Sequence, residues 1–270
     1  MASPDSAVHS DSTPRRRGRA RRIRLVGFWA LLALGATVFG FLVWAHAVYQ
    51  ADRAATMRAF ALDDVTIEIV DEGILLSPDG DAVDTSTGLV FVPGARVEPS
   101  AYLWQLSGIV EHEGITVLIT HPTVNLAFFD LRGLDDFTTA APEIDRWFVG
   151  GHSLGGVRAC LMAESALDTR DDLAGIVLLG SYCANDLSQT DLAIVSVAAE
   201  NDGLSTPATI ESRAGLLPAS TVFTTIEGAN HASFGDYGPQ SGDGERTISS
   251  DAMRTQLTAA LAEVLVEPAG

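Results

Sequence analysis

An α/β fold, a mostly parallel central sheet with helices on both faces preceded by one transmembrane helix, is what this sequence predicts, and three observations carry that expectation. Short β-branched apolar runs alternate with longer amphipathic stretches between about residues 65 and 265, the pattern of strands covered on both faces by crossover helices. The stretch Leu25–Ala45 contains no charged side chain. Between a strand-like and a helix-like run stands Gly151-His152-Ser153-Leu154-Gly155, a turn flanked by glycines.

The 17 basic residues are all arginine, and seven of them lie between Arg15 and Arg24. Without lysine there is no P-loop lysine, no Schiff-base lysine and no Ser-Lys dyad. Residues 48–270 hold 10 basic and 33 acidic side chains, a net charge of −23, which repels a phosphate backbone and excludes nucleic acid as an expected partner.

Residues 1–20 are Ser-, Pro- and Arg-rich and are expected to be disordered. Residues 25–47 read as the anchor: at about 1.5 Å per residue, the uncharged run matches the roughly 30 Å hydrocarbon core. Trp29 and Trp44 mark its two interfaces, and the arginines before it place residues 1–24 in the cytoplasm by the positive-inside rule. The competing reading is a cleaved signal, since Arg21-Arg22 loosely fits a twin-arginine signal and Ala45-His46-Ala47 a cleavage site. The apolar run exceeds the 7–15 residues or so of a signal core, which favours an uncleaved anchor and puts the following domain outside. Residues 48–62 are expected as a solvated tether, helical or flexible over Ala51–Ala61, with Arg53 and Arg58 near outer headgroups. Residues 63–270 form one folded domain.

Within it, Val65–Val70 and Ile74–Ser77, with the turn Pro78-Asp79-Gly80-Asp81, read as an antiparallel hairpin. Gly88–Val92 is a buried-type strand ending at Pro93-Gly94, followed by a helix from Pro99 or Ser100 to Glu113 closed by Gly114. Ile115–Thr120, Arg146–Val149, Gly175–Leu179, Leu192–Ala198 and Thr221–Ile226 continue the strands, and helices fit 154–167, 207–216 and 248–265.

Gly-x-Ser-x-Gly is weak as a bare pattern, so its position decides. A nucleophile elbow needs glycines where the turn packs between strand and helix, and needs the serine at a strand's C-terminal end; residues 146–167 meet both conditions. Gly151-His152-Ser153-Leu154-Gly155-Gly156 resembles the elbow of the α/β-hydrolase superfamily. The chain is most similar to its small, lidless dienelactone-hydrolase-like branch. That resemblance extends over residues 65–265, through Pro93-Gly94, Asn201-Asp202-Gly203 and Asn230-His231-Ala232-Ser233-Phe234-Gly235. Dienelactone hydrolases proper use a cysteine nucleophile, whereas position 153 is serine, so their substrate does not carry over.

The resemblance implies a nucleophile, acid and base in that chain order. Ser153 is the nucleophile. Asp202 follows the strand after next and is the expected acid, against an ordinary Asx turn; Asp186 and then Glu200 are the alternatives. His231 is the sole histidine downstream of Ser153 and is therefore the expected base. His152 is expected to pack beside the sheet, His112 to be solvated and His121 to pack locally near the catalytic edge. The backbone N–H of Leu154 and that of Ala95, in the segment after the strand at 88–92, are the expected oxyanion donors; a simple strand-ending turn also explains Pro93-Gly94.

The acidic loop 234–245 does not match an EF-hand and is expected to wall the pocket, with Asp236 available to a polar substrate. Cys160, two helical turns below the elbow, and Cys183, at a strand end, are expected to stay apart. The site so read needs no metal and no organic cofactor. The expected activity is that of an extracytoplasmic serine hydrolase acting on a small-molecule or lipid-like carboxylic ester or thioester. Transfer of the acyl group to an envelope glycan or lipid, or binding without catalysis on the same scaffold, are the rival readings.

Overall fold

The computed structural model describes residues 14–79 and 86–266; most of the segment expected to be disordered, and half of the turn at 78–81, lie outside them. The chain divides into two compact units, residues 1–44 and 45–270. Helix α1 (Pro14–His46) supplies the described part of the first, and its stretch Arg21–His46 is long and apolar enough to cross a membrane. Val26, Phe28 and Leu31 are exposed on it, so no protein core accounts for their apolar character.

The second unit is built on one eight-stranded sheet, in the order β1-β2-β4-β3-β5-β6-β7-β8. Strands β1 (Val65–Ile69) and β2 (Gly73–Pro78) pair antiparallel, β2 pairs antiparallel with β4 (Thr116–Thr120), and every later pairing is parallel. The others are β3 (Thr87–Val92), β5 (Arg146–His152), β6 (Leu173–Leu179), β7 (Ala193–Ala199) and β8 (Val222–Ile226). All residues of β3 and β4 are buried, which is why those segments read as unbroken apolar runs. Leu89 and Phe91 of β3 enter the core shared with α3 (Leu103–Glu113) and α7 (Ser250–Leu265); Val90 and Val92 enter the one shared with α4 (Leu134–Thr138) and α5 (Leu154–Ala166). The period-2 alternation of a strand thus feeds two layers of helices.

Gly114 closes α3 at φ 69°, the left-handed stop that glycine makes without strain. The helix expected over 207–216 is shorter: α6 (Pro207–Glu211), capped by the Thr206 side chain on Thr209 N–H, gives way to a 3-10 turn at Ala214–Leu216.

Two expectations need correction. Part of the 48–62 tether is helical, as α2 (Arg53–Ala59), but it is no solvated spacer. Tyr49 N–H donates to the Arg96 carbonyl at 2.7 Å, Glu98 N–H to the Tyr49 carbonyl at 3.0 Å and Asp52 N–H to the Asp236 carbonyl at 2.6 Å. Backbone left extended after α1 pairs with the loops it meets, since its polar groups need partners.

Cys160 and Cys183 form a disulfide, with Cα atoms 5.6 Å apart. The expected vertical offset assumed that residue 183 stays level with the end of β6. Instead the chain beyond Gly180 descends over α5, where Asn185 Nδ2 donates to the Cys160 carbonyl at 3.3 Å and both sulfurs join one apolar core. A bridge across a sequence separation of 23 corresponds to about 3 kcal/mol of lost unfolded-state entropy. Reducing it, or replacing both cysteines by alanine, is expected to lower the Tm of the domain by roughly 6–12 °C, read by calorimetry with and without reductant.

Candidate active site

A parallel sheet gathers the C-terminal ends of its strands on one edge, and the chemistry-bearing residues meet there. Ser153 follows β5 directly, with φ 53° and ψ −123°. A non-glycine residue at positive φ costs on the order of 1–3 kcal/mol, and here both flanks hold it. Ser153 N–H donates to the Leu179 carbonyl at 3.0 Å, and the Ser153 carbonyl accepts from Gly156 N–H and from Ser181 Oγ at 2.6 Å. A Cβ on Gly151 would come within 2.6 Å of the Val92 carbonyl oxygen, and one on Gly155 within 2.6 Å of that of Pro93. The glycines of the motif therefore let the end of β3 pack against the elbow.

That contact puts the loop after β3 beside Ser153. Gly94 N–H donates to Tyr102 Oη at 2.9 Å, and Tyr102 Oη is 3.0 Å from His152 Nδ1. Tyr102 Oη thus bridges the Gly94 N–H and the His152 ring. Among the described residues, the N–H groups of Ala95 and Leu154 have no acceptor, and Ser153 Oγ has no hydrogen-bond partner. Two unused donors thus lie on the segments that flank the serine.

Asp202 and His231 hang from the ends of β7 and β8. Their Oδ2 and Nδ1 are 2.7 Å apart, with both side chains essentially buried. Asp202 Oδ1 accepts from Leu204 N–H at 2.8 Å and Ser205 N–H at 2.7 Å, so the Asx turn weighed against a catalytic role exists together with the histidine contact. Gly180, at φ 49°, clears space for the carboxylate: a Cβ there would lie 3.1 Å from Asp202 Oδ2. The His231 ring packs on that of His152 at 4.3 Å between centroids, which sets it beside the residue before Ser153.

The alternative acids lie elsewhere. Asp186 is exposed and accepts from Ser188 N–H at 3.0 Å, and Glu200 is exposed and accepts from Gly228 N–H at 2.8 Å. His112 is exposed beside Glu111. His121, expected to pack locally, is exposed and lines a cavity of about 560 Å³ with Ser100, Asn125 and Glu98. Asp236 is buried, not open to a substrate: it accepts from Gln105 Nε2 at 2.8 Å and Ser250 Oγ at 2.6 Å.

Asp243 was not legible as part of the site. Its Oδ1 accepts from His231 N–H and its Oδ2 from Ala232 N–H, both at 3.0 Å, while Gly203 N–H reaches Oδ1 at 3.3 Å. One carboxylate therefore ties the turn bearing the histidine to the turn bearing the acid. Twelve residues separate it from His231 in an acidic loop, and nothing in that spacing marks it. Tyr102 was missed for a similar reason, since an aromatic at a helix start reads as core.

The α/beta hydrolase family model, described as "Alpha/beta hydrolase family", matches residues 88–255, more than half of the chain. Among solved structures, the crystal structure of a predicted CIB-like hydrolase from Thermoplasma acidophilum is similar over 74% of this chain and 99% of its own, at 12% identity and a TM-score of 0.49. An orotidine 5'-phosphate decarboxylase from Nitrosomonas europaea is 32% identical over 120 residues, 42% of this chain. The chain spans about half, 52%, of that curated relative. Neither of these two likenesses is extensive enough to assign a reaction.

Burial holds the His152 pKa well below the ordinary imidazole value, and the neighbouring His231 ring acts in the same direction. An unfolded chain binds this proton below a pH of about 6.5 and the folded chain refuses it. The stability is therefore complete above that pH and falls as the medium acidifies, by up to about 1.4 kcal/mol per pH unit. His152→Asn retains an acceptor for Tyr102 and cannot titrate. Its unfolding free energy, measured between pH 7.5 and 5, is expected to fall less steeply than that of the wild type; parallel slopes would contradict this account.

Proposed function

The chain belongs to the alpha/beta hydrolase family and is a hydrolase, and on that premise we propose a membrane-anchored, extracytoplasmic serine hydrolase that cleaves a carboxylic ester or thioester through an acyl-enzyme. The observation that carries this reading is the buried hydrogen bond between Asp202 and His231, set against the residue before the elbow serine.

In this reading His231 Nε2 takes the proton of Ser153 Oγ as the oxygen attacks the substrate carbonyl, then returns a proton to the leaving group. Asp202 keeps the proton-bearing Nδ1 turned toward itself and stabilises the imidazolium as it forms. The hydrogen bond from Ser153 Oγ to His231 Nε2 forms when substrate binds, since catalytic hydrogen bonds often assemble only in the complex. The oxyanion is met by the N–H groups of Leu154 and Ala95. Each such donor contributes about 3–4 kcal/mol to lowering the barrier when it is aimed in advance. Water then attacks the acyl-enzyme with His231 again as base.

Within the family we place the chain nearest the dienelactone-hydrolase-like branch, on the motifs around Ser153, Asp202 and His231. The connection from β6 to β7, where other members can carry a lid, is bound to α5 by the Cys160–Cys183 bridge. That favours a small or exposed acyl group over one enclosed by protein. The extracytoplasmic setting is supported by the same bridge, which persists in oxidising compartments, and by the arginines that precede α1.

Labelling of the residue 45–270 domain by a fluorophosphonate is the direct test. The wild type is expected to label, Ser153→Ala not at all, and Asp202→Asn to hydrolyse p-nitrophenyl acetate about 10⁴-fold more slowly. Labelling that persists in Ser153→Ala would sink the assignment.

Asp243→Ala leaves two backbone donors of the base-bearing turn without their carboxylate. It is expected to lower kcat for that ester at least tenfold while KM moves less than threefold. Asp243→Asn, which keeps one acceptor, should recover part of the loss.

A further inference from the structure

Residues 45–52 do more than join an anchor to a domain. The Ala45 carbonyl accepts from Asn125 Nδ2 at 3.2 Å, and the Ala47 carbonyl accepts from both Nε and a terminal nitrogen of Arg96. Tyr49 then pairs with Val97 in a parallel bridge and Ala51 with Tyr237 in an antiparallel one. The strap therefore begins on the loop after β4, crosses the loop that offers Ala95 and ends beside the segment that follows His231. All three loops lie on the C-terminal edge of the sheet.

Ala45 is also the last residue of the uncharged run. Whatever direction α1 takes from it, a helix that spans a bilayer brings this residue to the lipid–water boundary, and the loop that carries Asn125 is hydrogen-bonded to it directly. The surface agrees. Of the nine large apolar side chains exposed among the described residues between 45 and 266, four lie on this edge: Ile69, Phe128, Phe129 and Leu204. Ile69 is 88% exposed. Ile69 belongs with them because β1 runs in the direction of β4, through two antiparallel pairings. Exposed apolar side chains spread along one edge, on the same side as the strap that follows an apolar helix, suit an interface with lipid.

We propose that the catalytic edge rests on the lipid surface, and that Ser153 takes a lipid-borne ester whose scissile bond lies at headgroup depth while its chains stay in the bilayer. The substrate part of this proposal rests on the serine-hydrolase reading above; the lipid contact rests on the anchor. The bilayer then holds the apolar chains that a lid holds in other enzymes.

The test uses the full chain inserted in phosphatidylcholine vesicles, with insertion checked by carbonate extraction. The native cysteines are paired, so a polarity-sensitive fluorophore can be placed on Phe128→Cys or, at the end of α5 far from the elbow, on Leu167→Cys. A lipid-borne quencher is expected to quench the probe at 128 at least threefold more than that at 167; equal quenching overturns the lipid contact. Separately, ten Gly/Ser residues inserted between Trp44 and Ala45 add a flexible reach of roughly 18 Å and leave the strap in place. Turnover of a fluorogenic ester carried on a vesicle lipid is expected to fall at least tenfold, with soluble p-nitrophenyl acetate within twofold. No change in lipid-ester turnover overturns the proposed substrate. Failure of the wild type on both esters sinks the hydrolase reading and its substrate together, while the quenching still decides which face meets lipid.

Discussion

The hydrogen bond between Asp202 and His231 is the contact on which the arrangement of the loops after β7 and β8 depends. A carboxylate withdrawn from water is costly unless donors surround it, and this one has three: the imidazole and the N–H groups of Leu204 and Ser205. To supply them, the loops after β7 and β8 must close on each other. Asp243 ties them from the side, and Gly180 removes the side chain that would crowd the carboxylate. The order of the strands makes that closure short, because β7 and β8 are neighbours in the sheet.

The serine side of the site is built by a different device, close packing of backbone. Gly151 and Gly155 admit the end of β3, and this brings the unused donors of Ala95 and Leu154 to the two flanks of Ser153. Tyr102 and His152 then fix the height of the loop, the phenol accepting from Gly94 and hydrogen-bonded to the imidazole. The strained φ at Ser153 is held separately, by its hydrogen bonds to Leu179, Gly156 and Ser181.

Most of this was legible in the sequence where a local rule sufficed. Each strand follows from its apolar run, the stop at Gly114 from its residue type, and the placement of Ser153, Asp202 and His231 just past strand ends from the runs that precede them. Reading failed where a contact joins segments with no local signature. Asp243 looks like any acid in a polar loop, and its role exists only after two other loops are placed. Cys160 and Cys183 were separated by a count along helix and strand that missed the descent of the chain past Gly180. Residues 45–52 carry no strand or helix signature; what orders them is the set of backbone groups on the loops they meet.

The disulfide and the strap bear on one question from opposite sides of the site. A hydrolase that encloses its substrate needs a mobile segment over the serine, and the connection after β6 is where length is available. Here that segment is bound to α5 by the bridge, so it contributes stability and gives up motion. In the proposed reading, selectivity then comes from where the site is held. The strap bears on that location, since the loops that carry Ala95 and His231 are hydrogen-bonded or bridged to residues 47–52. If the apolar helix is an anchor, an ester at headgroup depth meets Ser153 at high local concentration and one in solution does not. Restraint of the segment after β6 and docking of the strap are then two parts of one proposed solution, in which position takes the place of a lid.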